Sequence, residues 1–468
     1  MTKKNKLVIK GGIIATLGEE NKILRKHALI IDTQRGIIEG IVPEEKIEEA
    51  IQKIIDVTDT AEVQVINAAG KVVMPGFINA HMHFYSSFAC GLTKAKSSKN
   101  FMEVLENLWW RLDKKLALDD CYYSTALALI AAIKKGTTTI IDHHASPFAV
   151  RGSLLKVAEA VQALGLRASL CYELSDRDGA EIASAGIEEN LEFIKWVIAS
   201  NRNDLKALFG MHASFTIEAK TMRRAVERVR ALSSQSSHLS QSAAPVGFHI
   251  HCAEDLADQE ITIKKYSQRV VERLYQEQVL GRHTICAHAV HLNERERELL
   301  AETDTVVIHN PQSNMNNAVG VADILKMSEK GVCVGLGTDA MTVNMLEELR
   351  SAIWVQRLHN RHPNVAFVEA ASLLIKNNPR IASRYWGTIG ELVAGAFADI
   401  ILMDYYPPTE LNADNFLGHL VFGLAESTVD TTIVNGKILM QNKQLVGIDE
   451  ERIAARSLEL SRKLWERF

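Results

Sequence analysis

The stretch Val72-Val-Met-Pro-Gly-Phe-Ile-Asn-Ala-His-Met-His83 joins a short apolar segment to two histidines separated by one residue. Side chains two apart on an extended strand share a face, so His81 and His83 can reach one centre. Seven later segments repeat this design, in which a short apolar run ends in polar residues. Together the eight predicted strands cover residues 72–79, 138–142, 167–172, 205–212, 246–251, 284–288, 305–309 and 332–339.

Helical patterns separate these predicted strands, for example over residues 122–135, 154–164, 220–232 and 261–279. Strands that alternate with helices in this way predict an α/β protein with a (β/α)8 TIM barrel over residues 71–388. An open doubly wound sheet is the competing topology, but no glycine-rich phosphate loop follows the first strand. The pattern therefore favours the barrel.

The two ends of the chain have a different, strand-rich texture. Residues 1–70 and 389–468 contain short runs with β-branched residues, and Asn435-Gly436 is a strong hairpin signal. We expect both ends to build one small β-sandwich domain, with a closing helix over residues 449–467. A Ser/Gln-rich stretch, residues 233–245, predicts a surface insertion before the fifth strand, and we assign no chemistry to His238 within it.

The composition is that of an ordinary globular protein. Of 468 residues, 47% are apolar and 24% charged, and 53 basic against 57 acidic residues leave a formal net charge of −4. Because neither sign dominates, the balance argues against a nucleic-acid or anionic-membrane surface. No apolar run reaches the length of a membrane span, and the six cysteines form no CxxC pair, which suits free thiols in a reducing compartment. We therefore expect a cytoplasmic protein.

Histidines and acids stand where the predicted strands end. His249 and His251 end the fifth strand, His288 the sixth, His309 the seventh and Asp339 the eighth. The active site of a barrel lies at the carboxyl ends of its strands, so these side chains should converge. Imidazole and carboxylate ligands suit zinc or iron(II), and a catalytic site also keeps one position open for water. The pattern predicts a catalytic metal site, although the residues alone do not choose between His249 and His251.

Pro75-Gly-Phe-Ile-Asn-Ala-His-Met-His83 resembles the opening motif of the amidohydrolase superfamily, and later motifs follow in the same order over essentially the whole chain. The mononuclear deaminase and chlorohydrolase branch is matched by His251-Cys-Ala-Glu254, Ala287-His288, His309-Asn-Pro-Gln-Ser-Asn314 and Gly337-Thr-Asp339. A closer resemblance, to the SsnA-type aminohydrolases, rests on Asn107-Leu-Trp-Trp-Arg-Leu-Asp113, Asp142-His-His-Ala-Ser-Pro147, His249-Ile-His-Cys-Ala-Glu-Asp255 and Ser313-Asn-Met-Asn-Asn317.

The resemblance implies one divalent metal, with zinc favoured and iron(II) as the alternative. The ligand set that it implies is His81, His83, His251 and Asp339. The family pattern places a ligand three residues before the acid, which selects His251 over His249. Glu254 would shuttle a proton from the attacking water to a ring nitrogen of the substrate, and His288 would orient that water. Asp339 would also carry the proton that lets ammonia leave.

A single metal is favoured because the end of strand four reads Gly210-Met-His212. Two-metal members of the superfamily carry a modified lysine at that place. The side chains that we expect to contact substrate are His143, His212, His309 and Trp110. The histidines have a second interpretation, as hydrogen-bonded neighbours or loop braces, and Trp109 and Trp110 have one as core residues.

The leading hypothesis is a metal-dependent aminohydrolase that deaminates an amino-substituted nitrogen heterocycle, such as a purine, by hydrolysis. The substrate would be a small molecule, and by analogy the chain would form a homodimer or a larger homo-oligomer. Dehalogenation or cyclic amide hydrolysis on the same site is the alternative reaction. A catalytically silent scaffold is the alternative from a different class.

Overall fold

The computed structural model describes residues 4–55, 61–236 and 246–468. Eight parallel strands form the ring of a barrel, as predicted, and neighbours in sequence are neighbours in space. In order, the strands are Phe77–Met82, Thr137–Asp142, Arg167–Leu170, Leu205–Ala207 continued by Phe209–Ala213, Phe248–Cys252, Ile285–His288, Val306–His309 and Val334–Leu336.

The ring closes between the eighth strand and the first. Met82 and Asp339 form a parallel bridge, and the amides of Thr338 and Asp339 donate to the His81 carbonyl over 2.9 and 3.0 Å. The Asn79 side-chain amide also donates to the Thr338 hydroxyl over 2.7 Å. Closure of the ring therefore brings the histidine pair of the first strand beside the acid that follows the eighth.

Helices cover the outside of the ring, and apolar side chains between the two layers form the largest buried core. The predicted helix over residues 261–279 is wrong as one element, because Ser267 takes a left-handed φ of 56° and separates two helices. The helices are Leu118–Lys134, Ser153–Leu164, Ala180–Ser200, Ala219–Ser236, Leu256–Tyr266, Val270–Gln276, Glu294–Glu302, Pro311–Asn316, Ile324–Glu329, Met345–Asn360, Phe367–Ser372, Leu373–Asn377 and Asn378–Trp386.

Short helical pieces fill the long connection between the first strand and its helix. They cover Phe84–Ala89, Phe101–Val104, Leu105–Trp109, Trp110–Leu112 and Asp113–Lys115. The side chain of Asn100 begins the second piece by accepting a hydrogen bond from the Glu103 amide over 2.9 Å.

The two chain ends form a β-sandwich, as predicted. Apolar residues from both sheets pack face to face in a separate core. The four-stranded sheet contains Lys4–Lys10, His27–Asp32, Ile37–Pro43 and Ala61–Asn67. The seven-stranded sheet contains Ile13–Ala15, Ile23–Leu24, Lys71–Pro75, Ile400–Asp404, Thr428–Val434, Lys437–Gln441 and Gln444–Leu445. Helices Ile47–Ile55, Phe416–Phe422 and Glu450–Arg467 complete the terminal segments.

The predicted first barrel strand, residues 72–79, is in fact two strands. Lys71–Pro75 pairs with Ile400–Asp404 in the sandwich, whereas Phe77–Met82 belongs to the barrel. Gly76 separates them at a point where a Cβ atom would lie 2.2 Å from the Thr138 side chain. Only glycine fits so close an approach, so one continuous apolar run serves both domains.

A buried ion pair joins barrel to sandwich. Arg167 of the third barrel strand is fully buried, and its Nε and Nη2 donate to the two Asp399 carboxylate oxygens over 2.8 and 3.1 Å. This two-pronged geometry is the one that arginine makes best with a carboxylate. It ties the terminal domain to the third barrel strand.

The remaining predictions about the chain concern its insertion, its thiols and its hydropathy. Residues 233–236 end the helix Ala219–Ser236, while the rest of the expected insertion, with His238, lies outside the described residues.

All six cysteines are free, and five of them are buried. In the described chain no single helix is long and apolar enough to cross a membrane, although the sharply bent pair 101–115 and 118–134 meets the length and composition criteria together.

Candidate metal centre and active site

Four predicted ligands meet at the carboxyl ends of strands one, five and eight. One ligand atom from each lies within 4.8 Å of all the others, in His81, His83, His251 and Asp339. His83 Nε2 is 2.9 Å from Asp339 Oδ1 and 3.1 Å from His251 Nε2, and His81 Nε2 is 3.3 Å from the same carboxylate oxygen. All four side chains are buried. The arrangement has the donor set of a zinc or iron(II) site.

Backbone carbonyls decide which ring nitrogens face this centre. His83 Nδ1 lies 2.5 Å from the His143 carbonyl, and His251 Nδ1 lies 3.0 Å from the His212 carbonyl. Because a carbonyl only accepts, both Nδ1 atoms donate, and in the neutral rings both Nε2 atoms carry lone pairs toward the centre. The two Nε2 lone pairs and the Asp339 carboxylate repel one another at these distances unless a cation lies between them. The residues therefore fit a divalent metal.

A proton on His83 competes with a metal ion for this centre. Burial alone would lower the pKa of His83, but its hydrogen bond to Asp339 and the charge of that carboxylate raise the pKa to about 9. Burial lowers the pKa of His81 to about 3, so that ring stays neutral. Metal binding should accordingly release a proton from His83, as binding to a preformed imidazole site generally does.

His249 lies behind the centre, on the same face of the fifth strand. Its Nε2 is 2.9 Å from His81 Nδ1, and its own Nδ1 is 3.7 Å from the Cys171 thiol. The His249 ring is fully buried. It can therefore fix the orientation of His81 without reaching the centre itself.

A second cluster, Glu254, His288 and Asp339, adjoins the first. Glu254 Oε2 is 3.6 Å from His288 Nε2. Burial raises the pKa of Glu254 to about 7, and the charge of Asp339 adds to the rise. Burial would raise the pKa of Asp339 too, but the neighbouring His81 and His83 rings hold it well below its ordinary value. One carboxyl can thus exchange a proton near neutral pH while the other stays charged.

The short helix Pro311–Asn316 and the residue after it orient all three members of that cluster. The Ser313 hydroxyl donates to Asp339, and Asn314 Oδ1 lies 2.9 Å from His288 Nδ1. The Asn317 amide donates to Glu254 over 3.3 Å. Residues 313–317 belong to the family motif, but none of them was predicted to act in the site.

His288 and Asp339 also share an uncommon backbone conformation. Both have positive φ angles, 71° and 52°, at the ends of their strands. Non-glycine residues adopt this region at a cost of roughly 1–3 kcal/mol and do so most often at functional sites. The bend turns each side chain inward at the barrel mouth.

A cavity opens beside the centre. The candidate metal ligands His83, His251 and Asp339 line it, together with Glu254. Another part of its wall is aromatic and comes from the connection after strand one and the turn after strand four. Its rings are Tyr85, Phe101, Trp109, Trp110 and Phe215.

A sequence model of the amidohydrolase family matches residues 72–439 of this chain. The chain belongs to the amidohydrolase family. This amidohydrolase is 32% identical over 389 residues to a 5-methylthioadenosine/S-adenosylhomocysteine deaminase of Thermococcus sibiricus, which covers 82% of this chain and 86% of the relative. It is 29% identical over 461 residues to a 5′-deoxyadenosine deaminase of Methanobrevibacter smithii, over 96% of this chain and 99% of the relative.

Among solved structures, the fold is similar to that of a zinc-bound adenosine deaminase from Xanthomonas campestris, with a TM-score of 0.81, 19% identity and 99% of each chain covered. The prediction of a metal-dependent hydrolase that acts on carbon–nitrogen bonds other than peptide bonds, by hydrolytic deamination, is confirmed. The prediction of a small-molecule substrate agrees with the relatives.

Of the four predicted substrate residues, only two line the cavity of this amidohydrolase. His212 and Trp110 line the cavity, with their rings 5.9 Å apart. His143 and His309 are fully buried and do not belong to the described lining of the cavity. His143 Nε2 instead lies 3.1 Å from the carbonyls of Met211 and His249. The structure therefore brings two of the four to the cavity and leaves two behind its wall.

Three acids that line the cavity were not predicted from the sequence, namely Asp113, Glu173 and Asp258. Glu173 follows the third strand, and Asp113 ends the motif that contains Trp109 and Trp110. Glu173 could have been found, because it occupies the same place after its strand as the predicted residues of other strands. Asp113 gave no such signal, since its approach to the cavity depends on how the connection after strand one folds back.

Proposed function

We propose that this amidohydrolase is a zinc enzyme with one metal that deaminates a 6-aminopurine nucleoside. The observation that carries the proposal is the position of the Glu254–His288–Asp339 cluster, on one wall of an aromatic-lined cavity beside the four ligands. Two relatives named as deaminases of adenosine derivatives support the choice of substrate.

Zinc held by His81, His83, His251 and Asp339 would supply the Lewis acidity that makes water a nucleophile at neutral pH. The chain supplies the proton transfers. Glu254 takes a proton from the attacking water and gives it to the neighbouring ring nitrogen, and its raised pKa suits both steps. The Asn317 amide holds the carboxyl in place over 3.3 Å.

His288 and Asp339 have the two remaining proposed roles, positioning of the water and transfer of a proton to ammonia. His288 Nε2, buried and without a hydrogen-bond partner in the described chain, points at the reaction centre and can position the water. Asp339, held by the Ser313 hydroxyl, carries the proton to the departing ammonia. Trp110 and Phe215, whose rings are 6.5 Å apart and inclined by 37°, form an apolar wall against which a heterocycle can lie.

Ammonia release from adenosine, 5′-deoxyadenosine, 5′-methylthioadenosine and guanine, with zinc and with iron(II), tests the proposal. We expect turnover of the adenosine derivatives with about one zinc per chain. A chloro-substituted triazine in the same assay tests dehalogenation. Turnover of the triazine alone, or full activity of the metal-free chain, would overturn the proposal.

Glu254→Gln separates the proton shuttle from metal binding. We expect this variant to keep its zinc and to lose turnover, because the amide cannot exchange a proton. Glu277→Gln makes the same change at the end of an outer helix, where Glu277 pairs with Arg223, and should leave turnover intact. A wild-type rate in Glu254→Gln would contradict the shuttle role.

We also infer that the enzyme works in a reducing cytoplasm without a nucleic-acid or membrane partner. Six free cysteines and the near-balanced charge support this proposal.

A further inference from the structure

The wall of the cavity is strongly acidic. Five carboxylates line it, whereas no lysine or arginine of the described residues does. The five acids are Asp113, Glu173, Glu254, Asp258 and Asp339. Asp339 belongs to the candidate ligand set, and Glu254 exchanges its proton in the proposed reaction. Burial raises the pKa of Asp258 to about 7, and Asp113 is paired with Arg177. Among the described lining residues, Glu173 therefore remains as the charge that the proposed reaction does not use.

The arginine nearest to this wall is already neutralised. Arg177 donates to Asp113, its Nε lies 3.3 Å from Asp178, and its Nη2 lies 3.7 Å from Glu173. Only 9% of its side chain is exposed. Its guanidinium also lies 5.2 Å from the ring centre of Trp110, behind the cavity surface. Arg177 is therefore not free to receive an anionic group of the substrate.

Glu173 presents a fixed negative charge to the cavity. Its Oε2 lies 3.3 Å from His143 Nδ1, and its Oε1 lies 3.8 Å from His212 Nε2. Although burial opposes ionisation, these two rings and Arg177 hold the pKa of Glu173 well below its ordinary value. Only 5% of the residue is exposed, so little water screens the charge.

We propose that the acidic cavity selects uncharged or cationic substrates and rejects those that carry a phosphate or carboxylate, and that Glu173 is the residue that sets this selection. The inference rests on the proposed function and adds the charge class of the substrate. Glu173 lines the same cavity as the candidate ligands His83 and Asp339, so a substrate bound there lies close to its charge. An anionic substituent should therefore lower kcat/KM on the order of tenfold, since charges at such separations interact by a few kcal/mol at the effective dielectric of a protein.

A series of adenosines that differ in charge at one position tests the selection. The compounds are 5′-amino-5′-deoxyadenosine, 5′-deoxyadenosine, adenosine 5′-carboxylate and adenosine 5′-monophosphate. With the zinc enzyme we expect kcat/KM to be highest for the cation and the neutral compound, on the order of tenfold lower for the carboxylate, and lower again for the phosphate. Equal values across the series, or a preference for an anion, would overturn the proposal.

Two variants test whether Glu173 sets the charge selection. Glu173→Gln should reduce the ratio of neutral to carboxylate kcat/KM at least threefold, whatever happens to the absolute rate. Asp113→Asn should move the ratio in the same direction, because it also frees the charge of Arg177. Glu277→Gln on the outer surface is the matched control and should leave the ratio unchanged. A ratio that neither Glu173→Gln nor Asp113→Asn moves would remove Glu173 from this role.

A binding measurement tests the charge selection separately from the proposed reaction. Calorimetric titration of the four compounds into zinc-loaded Glu254→Gln measures affinity without turnover, and the same rank order is expected. Ammonia release from none of the compounds by the wild-type enzyme would contradict the proposed function. Equal affinities in the titration would contradict the charge selection.

Discussion

Nε2 of His249 lies 2.9 Å from Nδ1 of His81, so the histidine that is not a candidate ligand orients one that is. His249→Phe keeps a ring of similar size and removes that acceptor. We expect metal affinity to fall roughly 10–100-fold, as for other residues that hold a metal ligand from behind. Competition with a chelator measures the change. His283→Phe, at a half-buried ring before strand six, is the control, and an unchanged affinity in His249→Phe would show that His81 needs no support.

The Asn317 amide favours the ionised form of Glu254, because it donates to the carboxylate and lowers its pKa. Asn317→Ala should raise the pKa of Glu254. If the reaction starts with ionised Glu254, the acid limb of the kcat/KM profile moves to higher pH in the variant. The shift should be roughly one unit, since a hydrogen bond to a charged group contributes roughly 1.5–3 kcal/mol and one unit corresponds to about 1.4 kcal/mol. A shift toward lower pH would contradict this role.

Trp110 faces the cavity with an indole N–H that has no partner in the described chain. Trp110→Ala should raise KM about tenfold, because both the apolar wall and the donor are lost. Trp110→Phe keeps most of the wall and should raise KM only about threefold. Trp354→Ala, at a partly exposed ring on the outside of the barrel, should leave KM as it is. Equal KM values in all four proteins would place Trp110 in the core rather than in the site.

The ion pair of Arg167 with Asp399 is buried on both sides, with side-chain exposures of 0% and 2%. Arg167→Ala leaves an uncompensated carboxylate inside the protein and should lower the free energy of unfolding by roughly 3–5 kcal/mol. Arg202→Ala removes an exposed pair with Asp204 and should cost less than about 1 kcal/mol. Denaturant unfolding compares the two variants, and a similar loss in both would mean that burial of the Arg167 pair has no special effect.

The barrel and the ligand cluster could be predicted because their signals are local. A short apolar run shows where a strand lies, and the polar residue that follows it marks the end at which a barrel builds its site. His81, His83, His251 and Asp339 are brought together by that rule alone. Choosing His251 over His249 needed the spacing to Glu254, which comes from the family resemblance.

The cavity wall could not be predicted in the same way. Asp113 and Glu173 are 60 residues apart, and they meet beside the cavity only because the connection after strand one folds back over strand three. His309 and His288 both end their strands and are both fully buried, but of the two only His288 belongs to the cluster with Glu254 and Asp339. The division of residues 72–79 at Gly76 depends on contact with Thr138 in the next strand.

The bridge between Met82 and Asp339 closes the barrel at the candidate metal centre, so the centre is complete only when the ring has closed. The ligands come from the first, fifth and eighth strands, so an intermediate whose ring is still open holds its histidines apart from Asp339. Affinity for the ion should therefore develop late, when the first and last strands join. A metal ion bound by these residues would therefore stabilise the closed ring relative to the open one.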